Sequence, residues 1–250
     1  MARSYNENVQ PGRGLRAVLF DLDDTLFDHL AAARAALTVI HRQHACFRDR
    51  PFADFEALHA RFLEELHKEV MTGALGIDAA RIERFRRVFA ASGAEPDAAV
   101  LEETARSYRR AYLEGRCPVD GAHALLTALK PRVRIGVVSN NLLEEQQDKI
   151  ALCNFTSLID ALVVSEEAGV SKPDPAIFRL ALERLECAAE DAVMIGDSWN
   201  ADVLGAQAAG IRAIWFNRLG QPRPDPSASI TELNALHPIS NVMAAMCGLA

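Results

Sequence analysis

Asp21 and Asp23 stand two residues apart in the run Asp21-Leu22-Asp23-Asp24-Thr25, directly after the apolar stretch Ala17-Val18-Leu19-Phe20. Four consecutive apolar residues read as a short buried strand, so both carboxylates fall where a strand ends and the chain meets solvent. In extended backbone, residues two apart project to the same side. Two anions held that close repel each other, and a bound cation relieves the repulsion. One carboxylate can then act as a nucleophile while the other handles a proton. The plainer reading is an acidic turn whose Asp caps the next helix, and the pentapeptide alone leaves both open.

Three later segments bring further polar groups. Ser139, in Ser139-Asn140-Asn141, offers a small hydroxyl on a turn with backbone N–H groups nearby, suited to a phosphoryl oxygen. Lys172 is held between Ser171 and Pro173 in Gly169-Val170-Ser171-Lys172-Pro173-Asp174-Pro175, just before a helix. Asp197 follows another apolar run in Gly196-Asp197-Ser198, and Asp202 falls early in the next helix. Three or four carboxylates with one hydroxyl and one Lys fit a Mg²⁺ site that binds a phosphate.

These residues need elements to bring them together, and the chain has two textures. Residues 30 to 113 read as helices only. Leu30, Ala33, Leu37 and Ile40 recur at helical spacing, as do Phe55, Leu58, Phe62, Leu66 and Val70. A third helix is predicted from Asp78 as N-cap to Gly93, and a fourth from Pro96 in the first helical position through Tyr112. Four amphipathic helices with short loops predict a small bundle. From about Pro118 strands and helices alternate. Strands are predicted at Arg134–Val138, Ala161–Val164, Ala192–Ile195 and Ile211–Phe216, with helices at Leu142–Leu152, Pro175–Leu185 and Ala201–Ala209. A short strand near Ile230–Leu233 and a helix from Ser240 close the chain. This is the rhythm of a doubly wound parallel sheet, in which ligands bind beyond the carboxyl ends of the strands.

FDLDDT, VVSN, GVSKPDP and GDSWNADVLGAQAAG together resemble the four motifs of the haloacid dehalogenase superfamily, in order, over about residues 16 to 220. The resemblance implies an α/β fold with a Rossmann-like core and an inserted all-helical cap. Its boundaries are read as a loose tail at 1–14, a core at 15–27 and 116–250, and a cap at 28–115. It implies a Mg²⁺-dependent phosphatase acting on a small phosphorylated metabolite. Asp21 would form an aspartyl-phosphate and Asp23 would serve as acid and base. The metal would be held by Asp21, the Asp23 carbonyl and Asp197, with Asp202 binding directly or through water. Ser139 and the Asn140 N–H would orient the phosphoryl group, and Lys172 would neutralise its charge. FDLDDTLFDH and WFNR are most similar to the branch of pyrimidine 5′-nucleotidases and acylneuraminate-9-phosphatases.

Other chemistries of the same family are weighed against this. A 2-haloacid dehalogenase needs no acid at Asp23. A phosphonate hydrolase needs a cap Lys on the first cap helix, whereas Lys68 lies well past it. A hexose-phosphate mutase keeps both aspartates, and a noncatalytic phosphate-binding protein would not need the full set of polar groups. Several residues also have plain readings. Asp24 suits a cap or a solvated turn, Asp174 caps the helix at Pro175, and Asp202 complements a helix dipole. His41 and His44 read as cap surface rather than a metal pair, and Trp199 reads equally as shaping the site or as packing. Phe27, Asp28 and His29 read equally as entrance lining or hinge packing.

Composition bounds the partners. A formal net charge of −7 disfavours nucleic acid and anionic membranes, while a local cation still permits a small anionic substrate. The five scattered cysteines include no C-x-x-C pair, which argues against a disulfide framework or a zinc site and suits a reducing cytoplasm. No apolar run reaches membrane-span length. A monomer or a homodimer is expected.

Overall fold

The computed structural model describes residues 14–248. The predicted tail lies outside these residues except for Gly14. The described chain divides into two compact units, residues 14–28 with 118–248, and residues 29–117.

The first unit is built on a six-stranded parallel sheet of order β3-β2-β1-β4-β5-β6. The strands are β1 (Ala17–Phe20), β2 (Arg134–Ser139), β3 (Ala161–Val164), β4 (Ala192–Gly196), β5 (Arg212–Phe216) and β6 (Thr231–Leu233). Every residue of β1 is buried, as a central strand covered on both faces requires, and this explains why its sequence is apolar without alternation. The register sets Phe20 against Val137 on one side and Ile195 on the other. The ends of β1, β2 and β4 are therefore level. Ala17, Leu19, Val138, Met194 and Trp215 pack with Ile177, Phe178, Ala181 and Val203 in one hydrophobic cluster.

The connecting helices are α6 (Ala122–Leu129), α7 (Leu143–Leu152), α8 (Ser165–Ala168), α9 (Pro175–Arg184), α10 (Gly205–Ala208) and α11 (Ile239–Met246). Helix α6 was not visible as a separate element in the sequence. It packs on β2 and on α11. The helix predicted at Ala201–Ala209 begins instead as a π-helical turn, Trp199–Leu204, before α10. The Asp174 side chain accepts from the Ala176 N–H, with Pro175 opening α9, as the sequence suggests.

The second unit holds α1 (His29–Gln43), α2 (Ala45–Arg48), α3 (Phe52–Met71), α4 (Ile77–Ala91) and α5 (Ala98–Glu114). Helix α1 packs on α5, and α3 on α4. Its centre is aromatic: the Phe47 ring lies 4.7 Å from Phe55 and 4.5 Å from Phe89. Two predicted boundaries need correction. Asp78 is not the N-cap of α4, which starts at Ile77 after an extended Gly76; Asp78 pairs with Arg81 instead. Pro96 does not open α5 either. Asp97 is its N-cap, accepting from the Val100 N–H, so a side-chain acceptor took precedence over the proline. His44 bonds Thr104 and His41 bonds the Arg50 carbonyl, so the two imidazoles have separate partners. Among the described residues no helix is long and apolar enough to cross a membrane, and none of the five cysteines forms a disulfide.

Both tryptophans, Trp199 and Trp215, belong to the sheet unit and report on it alone. Leu19 is fully buried at its centre. Leu19→Ala should lower the stability of this unit by about 2–5 kcal/mol, read from urea unfolding followed by tryptophan fluorescence. A loss under about 1 kcal/mol would mean that the sheet centre collapses around the missing atoms.

Candidate active site

The level strand ends bring three carboxylates together. Asp21 continues β1 by one hydrogen bond, from its N–H to the Ile195 carbonyl at 3.0 Å, and is only 7% exposed. Asp197 follows β4 directly. Asp202 is 1% exposed and accepts from the Ser198 N–H at 2.9 Å, so the turn after β4 folds back on itself. Gly196 makes that possible: a Cβ there would lie 2.3 Å from the Asp202 carboxylate. One oxygen from each of Asp21, Asp197 and Asp202 lies within 4.8 Å of the others.

Lys172 joins this cluster. Its Nζ lies 2.6 Å from both Asp21 and Asp202 and is buried with them. The loop that carries it is fixed from two sides. The Asn140 side chain accepts from the Lys172 N–H at 2.7 Å and donates to the Lys172 carbonyl at 2.9 Å. On the other side, Gly205 lets its helix approach the loop: a Cβ there would meet Phe178 at 2.8 Å and Pro173 at 2.9 Å. The Asn140 amide is thus committed to positioning Lys172. Trp199 packs edge-on against Trp215, whose indole N–H donates to the Asp197 carbonyl at 2.8 Å.

Asp23 lies apart from the trio. Lys149 Nζ reaches its two oxygens at 2.6 and 2.8 Å, and Gln146 Nε2 donates to it at 2.9 Å. Asn141 Nδ2 follows at 3.3 Å. The same Gln146 amide donates to Ser139 Oγ at 2.6 Å, which ties the hydroxyl to the second carboxylate. Lys149, Gln146 and Asn141 escaped the sequence reading. Gln146 and Lys149 share the helical stripe of Ile150 and Cys153, and two polar residues at core-facing positions were the available signal.

Asp24 is not a cap or a solvated residue. Arg218, from the loop after β5, lies 2.7 Å from Asp24 and holds Asp28 through two bonds of 3.0 and 2.7 Å. This fixes the chain that leaves β1, with Asp24 in the left-handed region at φ 65°. Phe27 is fully buried, and Lys149 lies 5.3 Å from its ring centroid.

Three carboxylates and one ammonium leave an excess of two negative charges in a largely buried space. Burial, and then Asp202 and Asp197, push Asp21 well above the usual carboxylate range, with Lys172 opposing. Burial, and then Asp202 and Asp24, push Asp197 up to about 7. Burial works against the charge of Lys172, but Asp202 and Asp21 outweigh it and hold the ammonium above its ordinary range. All-oxygen donors with uncompensated charge fit a hard divalent cation.

A family model for haloacid dehalogenase-like hydrolases matches residues 15–210. The chain belongs to that family. This hydrolase is 34% identical to the phosphoserine phosphatase of Thermus thermophilus, over 86% of this chain and 93% of the relative. It is 28% identical to the mouse N-acylneuraminate-9-phosphatase, over 89% and 93%. It is also 28% identical to the pyrimidine 5′-nucleotidase YjjG of Escherichia coli, over 90% and 96%. The solved structure of the HAD-hydrolase YfnB from Bacillus subtilis, bound to magnesium, superposes with a TM-score of 0.70 at 29% identity, over 92% of this chain and 98% of that one.

Without metal, the folded hydrolase keeps on Asp197 a proton that the unfolded chain releases near 3.8. The raised value stabilises the fold below about pH 4, and that contribution is lost as pH rises through about 7. A divalent cation bound to the same carboxylates reverses the trend. The Tm of the chelated protein should fall as pH rises through this window, and the gain in Tm on adding Mg²⁺ should grow. A metal-induced gain that is independent of pH would contradict this arrangement.

Proposed function

We propose that this hydrolase is a Mg²⁺-dependent phosphatase that cleaves a small phosphomonoester, a nucleotide or sugar phosphate, through an aspartyl-phosphate on Asp21. The observation that carries the reading is the division between Asp21 and Asp23. Two carboxylates two residues apart have different neighbours: one lies in a buried acidic trio bridged by Lys172, the other in a fork of Lys149 and Gln146. Different environments suit different roles.

Asp21, Asp197 and Asp202, with the carbonyl of Asp23, would hold the Mg²⁺, which when bound neutralises charge on the phosphoryl oxygens. Asp21 attacks phosphorus, and the ester oxygen leaves with a proton from Asp23. Asp23 then takes a proton from the water that releases phosphate. Ser139 and the Asn140 backbone N–H orient the phosphoryl oxygens. Lys172 offsets their charge and keeps Asp21 and Asp202 from repelling each other. Lys149 and Gln146 hold the Asp23 carboxylate in place by hydrogen bonds. A dehalogenase has no need of such a second, separately held carboxylate. The magnesium bound by YfnB and the phosphatase activities named for the relatives support the same reading. Substrate choice falls to the inserted helical unit, since the sheet unit supplies the groups for chemistry.

Asp21→Asn should abolish turnover of any phosphomonoester. Asp23→Asn should slow an alkyl phosphate by about 10²–10⁴-fold, the usual contribution of a positioned acid–base group. It should slow p-nitrophenyl phosphate less, because that leaving group departs without a proton. Steady-state kcat on both esters, in chelator and in Mg²⁺, checks this. Equal losses on the two esters would remove Asp23 from leaving-group protonation. A requirement for an activating bisphosphate would favour a mutase.

A further inference from the structure

Gln146 of α7 is fully buried, and its side-chain nitrogen donates to two acceptors at once: Asp23 Oδ2 at 2.9 Å and Ser139 Oγ at 2.6 Å. Its side-chain oxygen is enclosed too and has no hydrogen-bond partner. A buried acceptor without a partner is costly, and an apolar side chain of the same length would fill the space without that cost. Packing therefore does not account for an amide at this position. Asp23 fixes which way round the amide lies. An ionised carboxylate only accepts, and Lys149 Nζ, at 2.6 and 2.8 Å from its two oxygens, matches the ionised form. Turning the amide over would set its oxygen against that carboxylate. The nitrogen must face Asp23, and its second hydrogen goes to Ser139.

This decides what the hydroxyl can do. An amide nitrogen offers no lone pair, so Ser139 Oγ accepts from Gln146 and keeps its own proton. Ser139 is buried, and among the described residues nothing accepts that proton. We infer that Gln146 is a positioning residue that commits the Ser139 hydroxyl to donate to a phosphoryl oxygen while it steadies the Asp23 carboxylate. The acceptor named here rests on the phosphatase reading of the site. One buried amide then sets both the group that orients the phosphoryl oxygens and the group that moves the proton.

Inorganic phosphate and two esters test this on the full chain with Mg²⁺. Calorimetric binding of phosphate reads the hydroxyl without turnover. Gln146→Met should weaken it by about 2–10-fold, the usual worth of one hydrogen bond, and should have no effect in a Ser139→Ala background. Phosphate that does not bind, that binds regardless of Gln146→Met, or that is weakened equally with and without the Ser139 hydroxyl overturns this role. The esters read the carboxylate. Gln146→Met should lower kcat on ethyl phosphate more than on p-nitrophenyl phosphate, in the direction of Asp23→Asn but by less. Equal losses overturn the part played through Asp23. Gln146→Asn sets the amide back by one CH₂, too far to keep both bonds, and should repeat the pattern. The Tm of Gln146→Met should hold or rise, because the unpaired oxygen leaves with the amide. Failure of both variants to fold would mark Gln146 as a structural strut and overturn the inference. Phosphate binding that follows the predicted pattern, with no turnover of either ester, would sink the phosphatase reading alone.

Discussion

Lys172 places one ammonium 2.6 Å from two buried carboxylates that follow different strands. Removing one partner of such a buried group costs about 3–5 kcal/mol, because the remaining charge is left uncompensated. The local backbone is arranged around that contact. Asn140 pins the Lys172 backbone from both sides, Gly196 makes room for the Asp202 carboxylate, and Gly205 lets the following helix rest on Pro173. The ammonium still matches only one of the three negative charges. The remaining excess turns a structural cluster into a site that favours a divalent cation, and raises Asp197 to about 7 without one.

The second device is the separation of Asp21 from Asp23. Leu22 between them is fully buried, and the two carboxylates on either side of it have different partners. Asp23 is taken up by Lys149 and Gln146 from α7, and the next residue, Asp24, by Arg218 from beyond β5. The three aspartates of one short loop are thus held by three different segments of the chain. Arg218 also holds Asp28, the last residue before the helical unit, so the loop is anchored where the insertion begins.

The sheet was legible because its strands are short apolar runs bounded by polar turns, a pattern that parallel strands buried on both faces must have. The trio and Lys172 were legible because each sits at the end of such a run or just before a helix. What escaped the sequence was long-range pairing. Lys149 and Arg218 look like ordinary surface cations until the fold brings them to Asp23 and Asp24, more than a hundred residues away. Helix starts at Ile77 and Ala98 were misplaced because a cap is decided by one side-chain bond, which Asp97 makes and Asp78 does not. The π-helical turn at Trp199–Leu204 was hidden for a similar reason: Asp202 is drawn back to the Ser198 N–H, and no residue spacing announces that.

The central claim is that the buried, Lys172-bridged carboxylate of Asp21 is the group that attacks phosphorus. Quenching the Mg²⁺-loaded enzyme in acid during turnover of a phosphomonoester, followed by peptide mass spectrometry, tests it directly. The account predicts one phosphoryl group on the peptide that carries Asp21, and loss of that label when the quench is delayed until substrate is exhausted. Steady turnover with no phosphorylated peptide, or with the label on a different residue, would contradict it.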